Sequence, residues 1–286
     1  MTPRDALLAR ITAWSQRHPD IRGALLVGSM ARRETPADEH SDLDVVLFVD
    51  DPRPWVEDGS WVAELGEPWV TFVEPTPVGH GMERRVLYAD GADVDFSLFA
   101  PPDSAAGPGV ELAHVHGVLQ RGARRLADPE GFLATMLAAA DAAEPVARVD
   151  RPSPGELGNV VGDVLYHLVW AGRKALRGER WVAAECINAH VGGRLMRLTA
   201  WHAAAVGGAT DTWHGGRFVE RWGDPRAVEL LGRAMTDTTL PRIGAALRAA
   251  AAAVELLGSE LAAANGGAWP AEAHHRVVAW LDDRLR

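Results

Sequence analysis

The sequence predicts an α+β protein, in which a mixed-sheet domain over residues 1–150 precedes an all-α helical-bundle domain over residues 151–286. The first half mixes short apolar, strand-like runs with helical patterns, whereas the second half lacks strand alternation and is rich in alanine, leucine, arginine and glutamate. Between them, residues 144–155 contain three prolines and end in a glycine, which predicts a linker because these residues cannot continue a helix. A chain of 286 residues is long enough for two such domains.

In the first domain, a helix is predicted over about residues 4–18, where Pro19 ends it. A buried strand over residues 23–27 runs into a Gly-Ser turn. The continuous apolar run at residues 43–49 is typical of a strand that is buried on both faces. The remaining elements predicted here are a short helix at 29–33, strands at 69–74, 84–89 and 92–99, and a helix near 130–142.

The second domain is predicted to be entirely helical. Its helices are expected at about residues 155–177, 180–206, 216–222, 225–235, 240–264 and 271–285. The alanine-rich stretch at 245–253 is a strong helix former and does not indicate disordered low complexity.

The composition excludes several classes of protein. A net charge of -10 would repel a phosphate backbone, so we expect no nucleic-acid partner. No apolar run approaches the roughly 20 residues that span a bilayer, and the N-terminus lacks the pattern of a signal peptide. The single cysteine, Cys186, fits a reducing compartment, so we expect a cytoplasmic protein. No glycine-rich dinucleotide motif or Walker lysine motif is present.

Gly28 and Ser29 follow the first buried strand, where a glycine permits the backbone angles of a tight turn. If Ser29 opens a helix, the free N–H groups and dipole of that helix favour a bound phosphate, although for this pair taken alone a plain helix N-cap by Ser29 is the better explanation. Asp42 and Asp44 change that balance, because residues two apart on a strand project from the same face. Two neighbouring carboxylates suit Mg²⁺, whereas the alternative is a pair of solvated aspartates at a strand end.

A third carboxylate is expected from the strand at 92–99, where alternation places Asp93 and Asp95 on one face. Asp95 is the better candidate because it is flanked by Val94 and Phe96 and lies deeper in the strand. Asp93 lies nearer the preceding turn and could simply be solvated.

These residues resemble a known family. The run Gly28–Arg32, the segment Ser41–Leu47 and the later Val94-Asp95-Phe96 resemble the Gly-Ser, Asp-x-Asp and late-Asp signature of polymerase-β-type nucleotidyltransferases. The resemblance implies catalytic and metal-binding roles for Asp42, Asp44 and Asp95, with Mg²⁺ as the ion. It also implies that Gly28, Ser29 and Arg32 contact the nucleotide.

The second half narrows the resemblance. The segments 171–179, 195–202 and 211–218 are similar to the helical domain of bacterial aminoglycoside 6-adenylyltransferases, which modify streptomycin. This implies transfer of AMP from ATP to a hydroxyl of a streptomycin-like aminoglycoside, with release of pyrophosphate. The chain departs from that family at Ser41, where an aromatic residue often stands, so the acceptor stays open. The alternatives are another antibiotic such as a lincosamide, or a toxin–antitoxin protein that acts on a protein partner.

The helix predicted at 155–177 carries two faces. One is apolar, and the other presents residues at steps of three or four that end at Lys174, the only lysine of the chain. That second face is either solvated or lines a cleft in which Lys174 meets the triphosphate. In the latter case the acceptor site includes Asp163, His167, Trp170 and Glu185. The histidines show no metal-ligand spacing joined to cysteines, so we expect no structural zinc site. The oligomeric state is not predicted.

Overall fold

A computed structural model describes residues 2–35, 37–102 and 112–285, with only the backbone described for residues 112–114. The chain divides into two units, Met1–Val146 and Ala147–Arg286. The first contains a mixed sheet, and the described residues of the second form helices and loops only. The predicted α+β class is confirmed. No described helix is both long enough and apolar enough to cross a membrane.

The first unit is built on one sheet of six strands. These are β1 (Ile21–Val27), β2 (Leu43–Val49), β3 (Pro68–Pro75), β4 (Met82–Tyr88), β5 (Asp93–Phe99) and β6 (Arg124–Ala127). They lie in the order β3-β4-β5-β2-β1-β6. Strands β2 and β5 are parallel, and all other neighbouring strands are antiparallel. The two strands predicted to carry the catalytic aspartates, β2 and β5, are therefore neighbours at the centre of the sheet.

Helices cover both faces of this sheet. On one face, α1 (Pro3–Ser15) packs against the odd-numbered residues of β2, among them Val45 and Leu47. On the other face, α3 (Leu112–Arg121) and α4 (Phe132–Ala142) pack over a cluster that includes Phe48. Since side chains alternate along a strand, Asp44 belongs to the same face as Phe48. The carboxylates thus lie on the α3/α4 side of the sheet.

Four parts of the first unit differ from the prediction. The helix expected at 29–33 is a single 3₁₀ turn, Gly28–Met30, because the N–H groups of Ala31 and Arg32 both donate to the carbonyl of Gly28 and close the turn there. A turn of this length has little dipole, so the predicted contribution of a helix dipole at Ser29 is wrong. The helix α2 (Pro52–Glu57), α3 and β6 were not predicted, since elements of four to ten residues carry weak periodicity.

The second unit is a bundle of seven α-helices among the described residues. They are α5 (Pro154–Leu176), α6 (Arg180–Glu185), α7 (Gly192–Ala205), α8 (Val219–Trp222), α9 (Pro225–Arg233), α10 (Leu240–Asn265) and α11 (Ala271–Arg284). A capping box between Ser153 and Glu156 starts α5. The alanine-rich α10 lies against α5, α7, α9 and α11. Its small side chains allow these helices to pack closely around one core.

The helix predicted over 180–206 is interrupted. Residues Cys186–Val191 form a π-helical segment between α6 and α7. A π segment inserts an extra residue into the helical turn and rotates the side chains that follow. No pattern in the sequence predicts this segment, because Cys186, Ile187 and Val191 keep their apolar, buried character through it.

Candidate active site

Gly28 allows the turn after β1 to approach β2 very closely. Its φ of 62° lies in the left-handed region, and a Cβ atom built on it would lie 1.7 Å from Oδ2 of Asp44. The antiparallel register of β1 and β2 pairs Val27 with Asp44, which sets this contact. A glycine is therefore required here on two grounds: the backbone angle and the room that the carboxylate occupies.

Three carboxylates converge beside this turn. Asp44 and Asp95 are partners across the parallel β2–β5 pair, and Asp42 lies two residues before Asp44. Each of the three offers an oxygen atom within 4.8 Å of the others, and all three side chains are half-buried. Hard oxygen ligands held this close fit Mg²⁺, which prefers carboxylate oxygens and keeps several of its own waters. Asp93, the alternative to Asp95, is exposed and does not belong to this set.

Burial raises the pKa of Asp95 to about 7. That value includes the opposing effect of the Arg85 guanidinium, which lowers the pKa, and the smaller effects of the negative charges of Glu83, Asp44 and Asp42, which raise it. A carboxyl group in such surroundings ionises more readily when a cation lies beside it. The electrostatics of the site therefore favour a bound cation.

Arg85 is a member of this site that the sequence analysis missed. Its guanidinium lies 3.2 Å from Oδ2 of Asp95 and 3.0 Å from Oε1 of Glu83, and it also pairs with Glu74 at 2.6 Å. The β4–β5 register places Arg85 directly opposite Asp95. The sequence carries only part of the signal: Asp90-Gly91 predicts a hairpin between β4 and β5, but a two-residue loop there would pair Val86 with Asp95. The loop has three residues, 89–91, closed by a hydrogen bond from the N–H of Tyr88 to the carbonyl of Ala92, and this register puts Arg85 opposite Asp95.

Ser29 is buried within the turn. Its side chain is 4% exposed, and its Oγ atom makes no hydrogen bond to any described residue. A buried hydroxyl without a partner is costly, so a bound acceptor group such as a phosphate oxygen would stabilise it. Arg32 follows the same turn, and its backbone N–H donates to the carbonyl of Gly28.

The helical unit gathers some of the residues predicted to bind the acceptor. Asp163 and His167 lie one turn apart on α5, and their side chains are 2.6 Å apart. Two further residues join them: His190 from the π-helical segment, at 2.9 Å from Oδ1 of Asp163, and Arg194 from α7, at 2.6 Å from Oδ2. Burial opposes ionisation of Asp163, but the hydrogen bonds and charges of His190 and Arg194 outweigh it and lower its pKa.

Trp170 and Lys174 lie further along α5. The ammonium of Lys174 is 5.2 Å from the centre of the Trp170 ring and 2.7 Å from Oε2 of Glu179. Glu185 is exposed at the end of α6. Lys174 and Asp163 thus already have partners of opposite charge, with which a substrate would have to compete. Their roles toward the triphosphate and the acceptor stay predictions.

Comparison with known protein families shows that the family model described as streptomycin adenylyltransferase matches residues 1–284. No curated protein matches the sequence significantly.

Among solved structures, an aminoglycoside 6-adenyltransferase from Bacillus subtilis is 15% identical, with a TM-score of 0.45 over 98% of this chain and 96% of that one. A nucleotidyltransferase-like protein from Exiguobacterium sibiricum 255-15 is 12% identical, with a TM-score of 0.35 over 92% of this chain and 77% of that one.

Proposed function

We propose, from the premise that the chain belongs to the streptomycin adenylyltransferase family, that it transfers AMP from ATP to a hydroxyl group of a streptomycin-like aminoglycoside and releases pyrophosphate. The observation that carries the proposal is the convergence of Asp42, Asp44 and Asp95, with oxygen atoms within 4.8 Å of one another. Adenylyl transfer needs such a cluster, because charge develops on both the attacking and the leaving oxygen atoms.

The nucleotide would bind at the turn after β1. Gly28 leaves the backbone accessible, the buried hydroxyl of Ser29 lacks a partner among the described residues, and Arg32 adds a positive charge to the same turn. Asp42, Asp44 and Asp95 would hold Mg²⁺, which neutralises phosphate charge when bound. Most of the rate enhancement would then come from positioning and electrostatics, and little covalent chemistry would be demanded of the protein.

In the reaction, the acceptor hydroxyl oxygen forms a bond to the α-phosphorus of ATP while the bond from that phosphorus to the β-phosphate bridging oxygen breaks. Pyrophosphate leaves, and the hydroxyl proton passes to a base. Asp95 would accept this proton, a role supported by its position in the carboxylate cluster and by the contact of Arg85 with one of its oxygens. Asp95 would also orient the hydroxyl before attack.

The acceptor would meet the helical unit through Asp163, His167, Trp170 and Glu185, with Lys174 directed to the triphosphate. Carboxylates suit the guanidinium and amino groups of a streptomycin-like drug. The family description supports this acceptor class. Because Asp163 is already paired with Arg194, a cationic drug would have to displace the Arg194 guanidinium or share the Asp163 carboxylate with it.

The test is a transfer assay with Mg²⁺, each nucleoside triphosphate and a panel of aminoglycosides and lincosamides, read by pyrophosphate release and by the mass of the drug. ATP with streptomycin should give the highest rate. Asp42→Asn and Asp44→Asn should each lower turnover by several powers of ten. The matched control is Asp93→Asn, which removes an exposed carboxylate on the same strand as Asp95 and should leave the rate near that of the wild type.

Transfer only to a lincosamide would show that the acceptor is a lincosamide and not an aminoglycoside. Near-normal transfer by Asp42→Asn would refute the proposed site. Tight binding of a protein toxin without transfer to any drug would instead favour the toxin–antitoxin alternative.

A further inference from the structure

A cavity of about 730 Å³ opens within the helical unit, bounded by α7, α8 and α9. Pockets that bind small molecules commonly enclose about 300–1,000 Å³, so its size suits such a ligand. Most of its lining side chains are apolar: Leu195, Met196, Val219, Val228, Leu231 and Met235. Methionine side chains adapt readily to irregular apolar ligands. The cavity therefore offers a binding surface for an apolar body.

The polar side chains of the lining are Asn188 and Glu220. The amide of Asn188 is already used in both directions, since it donates to the carbonyl of Thr236 at 2.9 Å and accepts from the N–H of Thr236 at 3.0 Å. Glu220 differs, because its carboxylate makes no hydrogen bond or ion pair with any described residue. The cavity thus combines an apolar wall with one available negative charge.

The segment 213–218, which contributes Gly215 to the lining of the cavity, is held in an unusual backbone conformation. Trp213 and Phe218 have positive φ angles of 30° and 59°, although neither is a glycine. Gly216, also at positive φ, lies so close to Met196 that an added Cβ would be 2.9 Å from its sulfur. Such conformations persist only where the surrounding structure determines them, and they concentrate at ligand-binding segments. The segment beside the cavity therefore holds a defined conformation.

We propose that this cavity binds a small amphipathic amine, with the apolar body against the methionine-lined wall and the ammonium group at Glu220. The inference goes beyond the proposed transfer activity. An aminoglycoside carries hydroxyl and amino groups over its whole surface, and a cavity with a single available polar side chain would leave most of them unpaired. The site therefore selects a ligand of a different class.

The charge argument is tested by isothermal titration of the full chain with three probes of equal length: n-octylamine, 1-octanol and octanoate. Octylamine should bind most tightly, octanol about two- to fivefold more weakly, and octanoate most weakly, as expected for one charge pair with the exposed Glu220. In Glu220→Gln, octylamine and octanol should bind equally. Octanoate binding as tightly as octylamine to the wild-type protein would overturn the proposal, as would an undiminished amine preference in Glu220→Gln.

The location is tested by filling the cavity. Gly193 and Gly232 line it, and a Cβ added at either position meets nothing within 4 Å, so Gly193→Leu and Gly232→Leu should fold and obstruct the space. Both should reduce octylamine affinity at least tenfold. The control is Gly162→Leu on α5, where a Cβ also meets nothing within 4 Å but which does not line the cavity. Wild-type affinity in both filled variants would place the ligand elsewhere and refute the proposal. These readouts need no transfer activity, so they stand even if the proposed function fails.

Discussion

Gly28→Ala tests whether the close approach of the β1 turn to Asp44 is needed for function. The substitution adds a single methyl group, whose carbon would lie 1.7 Å from Oδ2 of Asp44 and 2.4 Å from its carboxyl carbon. No rotation of the methyl group relieves these contacts. Either Asp44 moves, or the turn does.

The expected effect has two parts. Holding a non-glycine residue at a φ of 62° costs about 1–2 kcal/mol of stability. Restoring an ordinary contact distance requires the carboxylate to move by more than about 1 Å, and a misplacement of about 1 Å in a catalytic constellation can lower a rate by about 100-fold. We therefore expect a modest loss of stability and a loss of at least about 100-fold in AMP transfer.

The assays are urea unfolding at fixed Mg²⁺ concentration and transfer kinetics with ATP and streptomycin. Gly131→Ala is the matched control, because Gly131 has a φ of 75° but an added Cβ meets nothing within 4 Å. It should show a similar backbone cost and near-normal transfer. If Gly28→Ala retained more than about a tenth of the wild-type rate at saturating ATP, the close approach would not position Asp44 and the reasoning would fail.

Three further predictions follow from the packing. Asp224→Asn should lower the free energy of unfolding by about 2 kcal/mol, because hydrogen bonds from Arg226 hold the pKa of Asp224 at about 2. The stabilisation by the Asp224 carboxylate is present above the ordinary pKa of aspartic acid and is lost as pH falls through about 2. The control is Asp51→Asn, because Asp51 begins a helix with the same Asp-Pro-Arg sequence but is more exposed; it should lower the free energy of unfolding by less in a denaturant titration. Ser29→Ala should leave thermal stability unchanged or raise it, since it removes a buried hydroxyl without a partner among the described residues, while transfer falls; a clear drop in melting temperature would contradict this. Mg²⁺ should raise the melting temperature of the wild-type protein but not of Asp44→Asn, and equal shifts would place the ion elsewhere.

Much of the first unit could be predicted from local pattern. The two-residue spacing of Asp42 and Asp44 and the alternation around Asp95 assign their faces, because strand periodicity depends only on neighbours in the sequence. Composition and periodicity likewise predict that the second unit is helical. Its helices are present near the expected positions, apart from the π-helical interruption at Cys186–Val191.

Tertiary structure decided how these pieces meet. The pairing of Asp44 with Asp95 depends on β5 lying parallel to β2, a choice between segments about 50 residues apart that no local pattern encodes. The contact of Gly28 with Asp44 and the approach of His190 to Asp163 likewise join separate segments. Alternation assigns each side chain to one face of its strand, whereas strand order, register and packing determine which side chains of different strands meet on that face. In this protein, strand order and register bring Asp95 beside Asp42 and Asp44.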